Sequence, residues 1–276
     1  MATEIPGIEK LRALAHRRVS PRLILPLALL VLAAIGARQF GEISLSLGAH
    51  QYARFFYLVA AWQGNSAAQN NLGALYLEGK GGFPDPVAAA HWLQKAAEQG
   101  QSAAAFNLGN LYEEGRGVPR DSRRAAALFE QAAQAGDHDA AFNAGRLYAD
   151  GRPDLPKDVN AAIKWYTKSA DAGFASAQYN LGSLYAQGDG VAKDFSMAAQ
   201  WYQRAVKSGH PKAQLDLGSM YAFGIGVDRD LARGLQLLEA AAQTKELAPK
   251  AKAHAALACR DRTPLERDLC DRRVRN

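Results

Sequence analysis

Cysteine and histidine are scarce in this chain of 276 residues, and that scarcity narrows its chemistry. The two cysteines, Cys259 and Cys270, fall short of the four ligands a structural zinc needs. The six histidines, His16, His50, His91, His138, His210 and His254, include no pair at the H-x-x-x-H spacing of a helical metal site. Asp137, His138 and Asp139 form the densest ionisable cluster, but it falls in a loop and has no third partner in sequence. No Ser–His–Asp, Cys–His or phosphate-loop arrangement stands out. Catalysis, metal and cofactor are therefore not expected. An excess of positive charge along the body is missing too. The net charge of +6 sits at the two ends, +3 over residues 1–22 and +4 over residues 245–276, leaving 19 basic against 20 acidic residues between. A nucleic-acid-binding domain carries its basic excess as a stripe on the fold, so nucleic acid is not an expected partner.

One stretch lacks charge altogether. LILPLALLVLAAIGA, residues 23–37, follows a basic segment at residues 1–22. As a helix it would span ~22 Å against a hydrocarbon core of ~30 Å. Flanking Arg22 and Arg38 could snorkel to lengthen it. The order, basic then apolar, is the targeting order. An uncleaved anchor is preferred because the basic flank is long for a cleaved signal. A cleaved signal with a soluble periplasmic body is the alternative. In both, the basic end stays in the cytoplasm and the rest is exported. For a bacterial chain this gives a single-pass inner-membrane protein with a periplasmic body. Residues 38–48 read as a juxtamembrane linker.

The rest of the chain repeats itself. Leu72-Gly73, Leu108-Gly109, Ala144-Gly145, Leu181-Gly182 and Leu217-Gly218 recur at steps of 36, 36, 37 and 36 residues. A tyrosine follows each glycine by three residues (Tyr76, Tyr112, Tyr148, Tyr185, Tyr221), and a second glycine follows by six (Gly79, Gly115, Gly151, Gly188, Gly224). Then comes an aspartate: Asp85, Asp121, Asp158, Asp194 and Asp230. Ala68, Leu72 and Tyr76, four apart, line one face of a first helix. The second glycine ends it in a left-handed cap. The aspartate N-caps a second helix, buried in the first unit through Ala89, Trp92, Ala96 and Ala97. A glycine inside the first helix costs about 1 kcal/mol relative to alanine, so its return in every unit implies a close helix–helix contact. Fixed periods of this size predict an all-α solenoid of helix–turn–helix repeats. Five whole units and a half-unit before them fill residues 49–244, and a half-unit and cap fill 245–276. In the third unit GRPDLPKD replaces the usual turn and inserts one residue.

The unit A-x-x-N-L-G-x-x-Y-x-x-G-x-G-V-x-x-D, matched by residues 104–121, closely resembles the Sel-one-like repeat (SLR) family, a relative of the tetratricopeptide repeats. The resemblance covers about residues 49–260. It implies a right-handed α-solenoid and an adaptor that holds or assembles other proteins, often exported or membrane-associated in bacteria. It also implies that certain first-helix positions face a concave groove, where asparagines can hold a peptide backbone. Those positions carry Asn71, Asn107, Asn143 and Asn180, with the aromatics Phe106, Phe142 and Tyr179 one place earlier and Asn110 and Arg146 two places after the core residue. An amide both donates and accepts, and an aromatic adds apolar contact area. The alternative is that the amides bond the neighbouring repeat and the aromatics belong to the core. A hydrolase on the same scaffold and a purely structural envelope spacer are the rival functions. The hydrolase requires a paired nucleophile and base.

At the C-terminal end Thr263, Pro264 and Glu266 read as a capping-box helix start. Cys259 closes the helix before it and Cys270 lies on it, so the two cysteines are expected to pair and fasten a cap over the last repeat.

Overall fold

The structure is a computed structural model that describes residues 36–260 and 263–274. The basic segment, and the apolar segment up to residue 35, lie outside the described residues. Among those residues the fold is all-α, a solenoid-type helical repeat. The one extended pairing is an isolated bridge between Arg152 and Leu155. The chain forms two compact units, divided after Ala135.

The first unit contains α1 (Ala37–Ser46), α2 (His50–Trp62), α3 (Ser66–Glu78), α4 (Pro86–Glu98), α5 (Ser102–Glu114) and α6 (Ser122–Gln134). They pack as three hairpins, α1 on α2, α3 on α4 and α5 on α6. The second unit contains α7 (His138–Asp150), α8 (Val159–Asp171), α9 (Ala175–Gln187), α10 (Phe195–Lys207), α11 (Pro211–Phe223) and α12 (Leu231–Ala242) as three more hairpins. It ends with α13 (Ala248–Ala258) and α14 (Pro264–Val274).

Each hairpin of the periodic array closes by the same two bonds. The backbone N–H of the aspartate donates to the carbonyl of the tyrosine, as Asp85 to Tyr76 at 2.9 Å and Asp194 to Tyr185 at 2.9 Å. The aspartate side chain then accepts from the third residue of the second helix, as from Ala88 at 3.0 Å and Met197 at 2.8 Å. An N-cap of this kind is worth about 1 kcal/mol. The inserted residue in the third unit leaves both bonds intact, Asp158 N–H to Tyr148 at 3.0 Å and the Asp158 cap on Ala161 at 2.9 Å. The turn absorbs it: Arg152 and Leu155 exchange backbone bonds, and Gly151 keeps a positive φ of 68° but swings to ψ 166°, where Gly115 lies at ψ 33°.

The glycines have separate tasks. A Cβ on Gly109 would stand 2.8 Å from Cε1 of Phe129 on α6, so α5 and α6 approach to a distance that only a bare Cα allows. Gly117, at φ +74°, lies against the backbone of Pro86 at the start of the preceding second helix, which ties one hairpin's turn to the hairpin before it.

Two boundaries differ from the sequence reading. Residues 38–48, expected to be a linker, fall within α1 and the turn after it. The half-repeat placed before the array is therefore a whole hairpin. A Cβ on Gly41 would stand 2.6 Å from the Tyr57 ring, the same contact that Gly109 makes with Phe129. This hairpin escapes the periodic pattern because Ser44 stands where the repeat has tyrosine. Its turn is also only Leu47–Ala49, so the glycine and its partner are 16 residues apart instead of 20.

Candidate functional site

The first helices carry the predicted ladder, and the structure divides it. In the first unit, Asn71 approaches the buried hydroxyl of Tyr57, which has no hydrogen-bond partner of full geometry. Burial raises the pKa of that hydroxyl, and the Asn71 amide opposes the rise. One repeat on, Leu93 stands in the place of Tyr57 and offers no hydroxyl. Asn107 there makes only a long 3.4 Å contact with Asn70 Oδ1. Asn110 lies half-buried a turn further along the same helix. Phe106 rests on Phe129, ring centroids 5.8 Å apart.

In the second unit, Asn180 serves the hydroxyl of Tyr166, whose pKa burial pushes up to about 12 against the opposing amide. Arg146 lies close enough to that hydroxyl to act on it electrostatically. Phe142 packs on Tyr166 at 5.8 Å and on Phe174 at 5.1 Å. Asn143 is half-buried, and its side chain makes no hydrogen bond among the described residues. Tyr179 stacks on Tyr202 and on His210, centroids 5.6 and 4.8 Å away, and its hydroxyl donates to Asp216 Oδ2 at 3.2 Å. Burial raises the pKa of Asp216 against the pull of Lys250, His254 and Lys212.

The ladder aromatics are thus half-buried packing groups, each set on an aromatic of its own repeat. Asn71 and Asn180 each face a core tyrosine. Asn107, Asn110 and Asn143 are left with unspent donors and acceptors.

One serine–histidine pair bears on hydrolysis. Ser219 Oγ lies 2.7 Å from His254 Nδ1 and 2.8 Å from the Leu215 carbonyl. A hydroxyl has one proton and a carbonyl can only accept, so the serine proton goes to Leu215 and His254 Nδ1–H is assigned as the donor to Ser219. In this arrangement the imidazole donates to the serine, whereas a base activating a nucleophile accepts from it.

Sequence reasoning missed the glutamines that join successive hairpins. A helix leaves its last carbonyls unpaired. Gln69 Nε2 donates to the Ala61 carbonyl at 3.1 Å, and Gln178 Nε2 repeats this on Ala170 at 2.9 Å. Gln131 from α6 reaches Ala97 at 2.6 Å. The signal is faint: a glutamine stands three places before the core leucine in three of five units, at Gln69, Gln178 and Gln214, and only the first two reach back to a carbonyl of the preceding helix.

The predicted cap is present. Cys259 and Cys270 form a disulfide, both buried. Glu266 accepts from the Thr263 backbone N–H at 2.8 Å, which is the carboxylate half of the capping box. Thr263 Oγ1 also donates to that carboxylate, at 3.0 Å, and Arg229 pairs with it at 2.9 Å.

Comparison with known proteins follows the same register. The Sel1 repeat family model matches residues 66–101, 102–137, 138–174, 175–210 and 211–243. A Sel1 repeat protein from Oxalobacter formigenes is 34% identical, over 77% of this chain and 85% of that one, with a TM-score of 0.62. A protective antigen from uropathogenic Escherichia coli displaying an SLR fold is 25% identical over 87% of this chain and 67% of its own, with a TM-score of 0.39. An immunity protein from Pseudomonas aeruginosa is 21% identical over 69% and 73%, with a TM-score of 0.40. No curated protein matches.

Proposed function

The chain belongs to the Sel1 repeat family, and we propose that it is a membrane-tethered, exported scaffold whose first helices hold a protein or peptide partner. Sel1 repeats generally mediate protein–protein interaction. The observation that carries the reading is the division of the ladder. Asn107, Asn110 and Asn143 keep hydrogen-bonding capacity that the fold does not use, on the helices that the family resemblance places along the groove. A half-buried amide with both a donor and an acceptor to spare suits an extended backbone, which offers both. Basic residues 1–22 ahead of the uncharged residues 23–37 support a cytoplasmic N-terminus and an exported body. No described helix is long and apolar enough to cross a membrane, so the tether is assigned to the segment outside the described residues.

The test is capture in place. A photocrosslinking residue at Asn110 should trap a discrete protein in intact cells, and one at Glu98, on an outer helix face, should not. Equal labelling from both positions would count against groove binding. A reporter fused after Asn276 that is active only in the cytoplasm would overturn export.

A further inference from the structure

The outer face of α2 differs from that of every later second helix. Tyr57 is equivalent to Leu93, Phe129, Tyr166, Tyr202 and Leu238, each being the residue that the mid-helix glycine of its hairpin meets. Around Tyr57, the positions two before and one, two and five after hold Phe55, Leu58, Val59 and Trp62. In α4 the same positions hold His91, Gln94, Lys95 and Glu98, and each of the five later second helices has at least three polar residues among these four. Leu58 and Val59 are half-buried against the core, whereas Trp62 is 71% exposed and Phe55 49%. Tyr52 extends the stripe by one turn. A helix that is apolar on its outer face as well as its inner one is built for a surface other than water.

The position of the chain start indicates which surface. Gly36, Ala37, Arg38 and Gln39 line a hollow of about 290 Å³ with Ala60, Gln63 and Asn65. The described chain therefore begins at the Trp62 end of α2, directly after the uncharged residues 23–35. Lys95 Nζ stands 5.6 Å from the centre of the Trp62 ring, a cation at the rim of the apolar stripe. Tryptophan and tyrosine concentrate at the headgroup level of a bilayer, and a helix lying in that plane buries its apolar face by ~5–10 Å.

We infer that the outer face of α2 rests on the bilayer surface, with Trp62 and Phe55 at the boundary of headgroups and acyl chains and Lys95 beside the lipid phosphates. This rests on the uncharged segment ahead of Gly36 being a membrane anchor. The first hairpin is then a foot that fixes the repeat array against the membrane.

The experiment uses the full chain reconstituted into phosphatidylcholine–phosphatidylglycerol vesicles whose acyl chains are brominated near the headgroup. Trp92 and Trp165 are buried and Trp201 half-buried, so Trp62 is the tryptophan that such lipids should reach. The protein should float with the vesicles, its emission should be quenched, and Trp62→Phe, which keeps the face apolar, should remove most of the quenching. Flotation without quenching, or with equal quenching in Trp62→Phe, would overturn the docked face and leave the anchor standing. A chain that does not float overturns the anchor and this inference with it.

Discussion

Gly109 and Phe129 are in contact through the one place on α5 where a side chain is missing, with Phe129 Cε1 2.8 Å from where a Cβ would lie. Gly109→Ala sets two effects against each other. Alanine gains about 1 kcal/mol of helix propensity. Overpacking against a fully buried ring typically costs 1–3 kcal/mol. Phe129 is fully buried and has no slack, so the packing cost should win. Chemical denaturation should show a loss of about 1 kcal/mol, and Gly109→Ala combined with Phe129→Leu should recover part of it. A stabilised single variant would mean the helices can separate at no cost.

That contact was legible as a requirement but not as a pair. The mid-helix glycine recurs at a fixed step, so the sequence called for close approach. Naming Phe129 needed the hairpin geometry. The first hairpin was half hidden, because its turn is short and Ser44 replaces tyrosine, although Gly41 makes the same contact. The ladder was legible in position but not in use. Whether an asparagine packs or is left over depends on whether the residue fourteen places earlier carries a hydroxyl, as Tyr57 and Tyr166 do and Leu93 does not. That is a cross-repeat relation with no local mark in the sequence.

His210 gives the fold an acid-side slope. Its Nδ1 accepts from the Ala213 N–H at 3.3 Å as the N-cap of α11, which requires the neutral ring. Burial, and then Lys212, lower its pKa below the ordinary 6.5. A depressed histidine contributes stability that is present above its unfolded pKa and is lost as pH falls from there through the folded value. Unfolding midpoints measured from pH 7.5 downward should fall below about 6.5. His210→Asn, which keeps a cap acceptor without the titration, should flatten that fall.

Asp216 has the opposite sign. Burial raises its pKa above 3.8, so the folded state favours the protonated acid, and stability declines as pH rises through the folded value. Asp216→Asn keeps an acceptor for Tyr179 and removes the buried charge. It should be more stable than the native chain at pH 7 and indistinguishable from it near pH 3. A destabilised variant at pH 7 would mean that Lys250, His254 and Lys212 outweigh the cost of burial.

The terminal cap depends on one covalent bond. α14 places Cys270 in a cluster with Leu231, Leu235, Ala258 and Cys259, beside the partly buried Leu269. The chain-entropy relation gives about 3 kcal/mol for a bridge closing a loop of this length. Cys259→Ser with Cys270→Ser should expose the tail after Arg260 to protease while the array keeps its helicity. In the native chain, denatured and unreduced, neither thiol should label. Labelling of both would exclude the bridge.

Asn107 and Asn180 occupy the same place in different repeats, and their substitutions should separate packing from binding. Asn180→Ala removes the partner of the largely buried Tyr166 hydroxyl, and a buried polar group left unpaired costs about 1–3 kcal/mol. Asn107→Ala gives up only a long contact with Asn70, so its effect on stability should stay within about 0.5 kcal/mol, as for ordinary surface changes. Partner capture should show the reverse ranking. Asn107→Ala, more so with Asn143→Ala, should weaken crosslinking from position 110 in a chain of unchanged stability, whereas Asn180→Ala should lower the denaturation midpoint first. If Asn107→Ala proves as destabilising as Asn180→Ala, its amide belongs to the fold and the groove reading loses its main support.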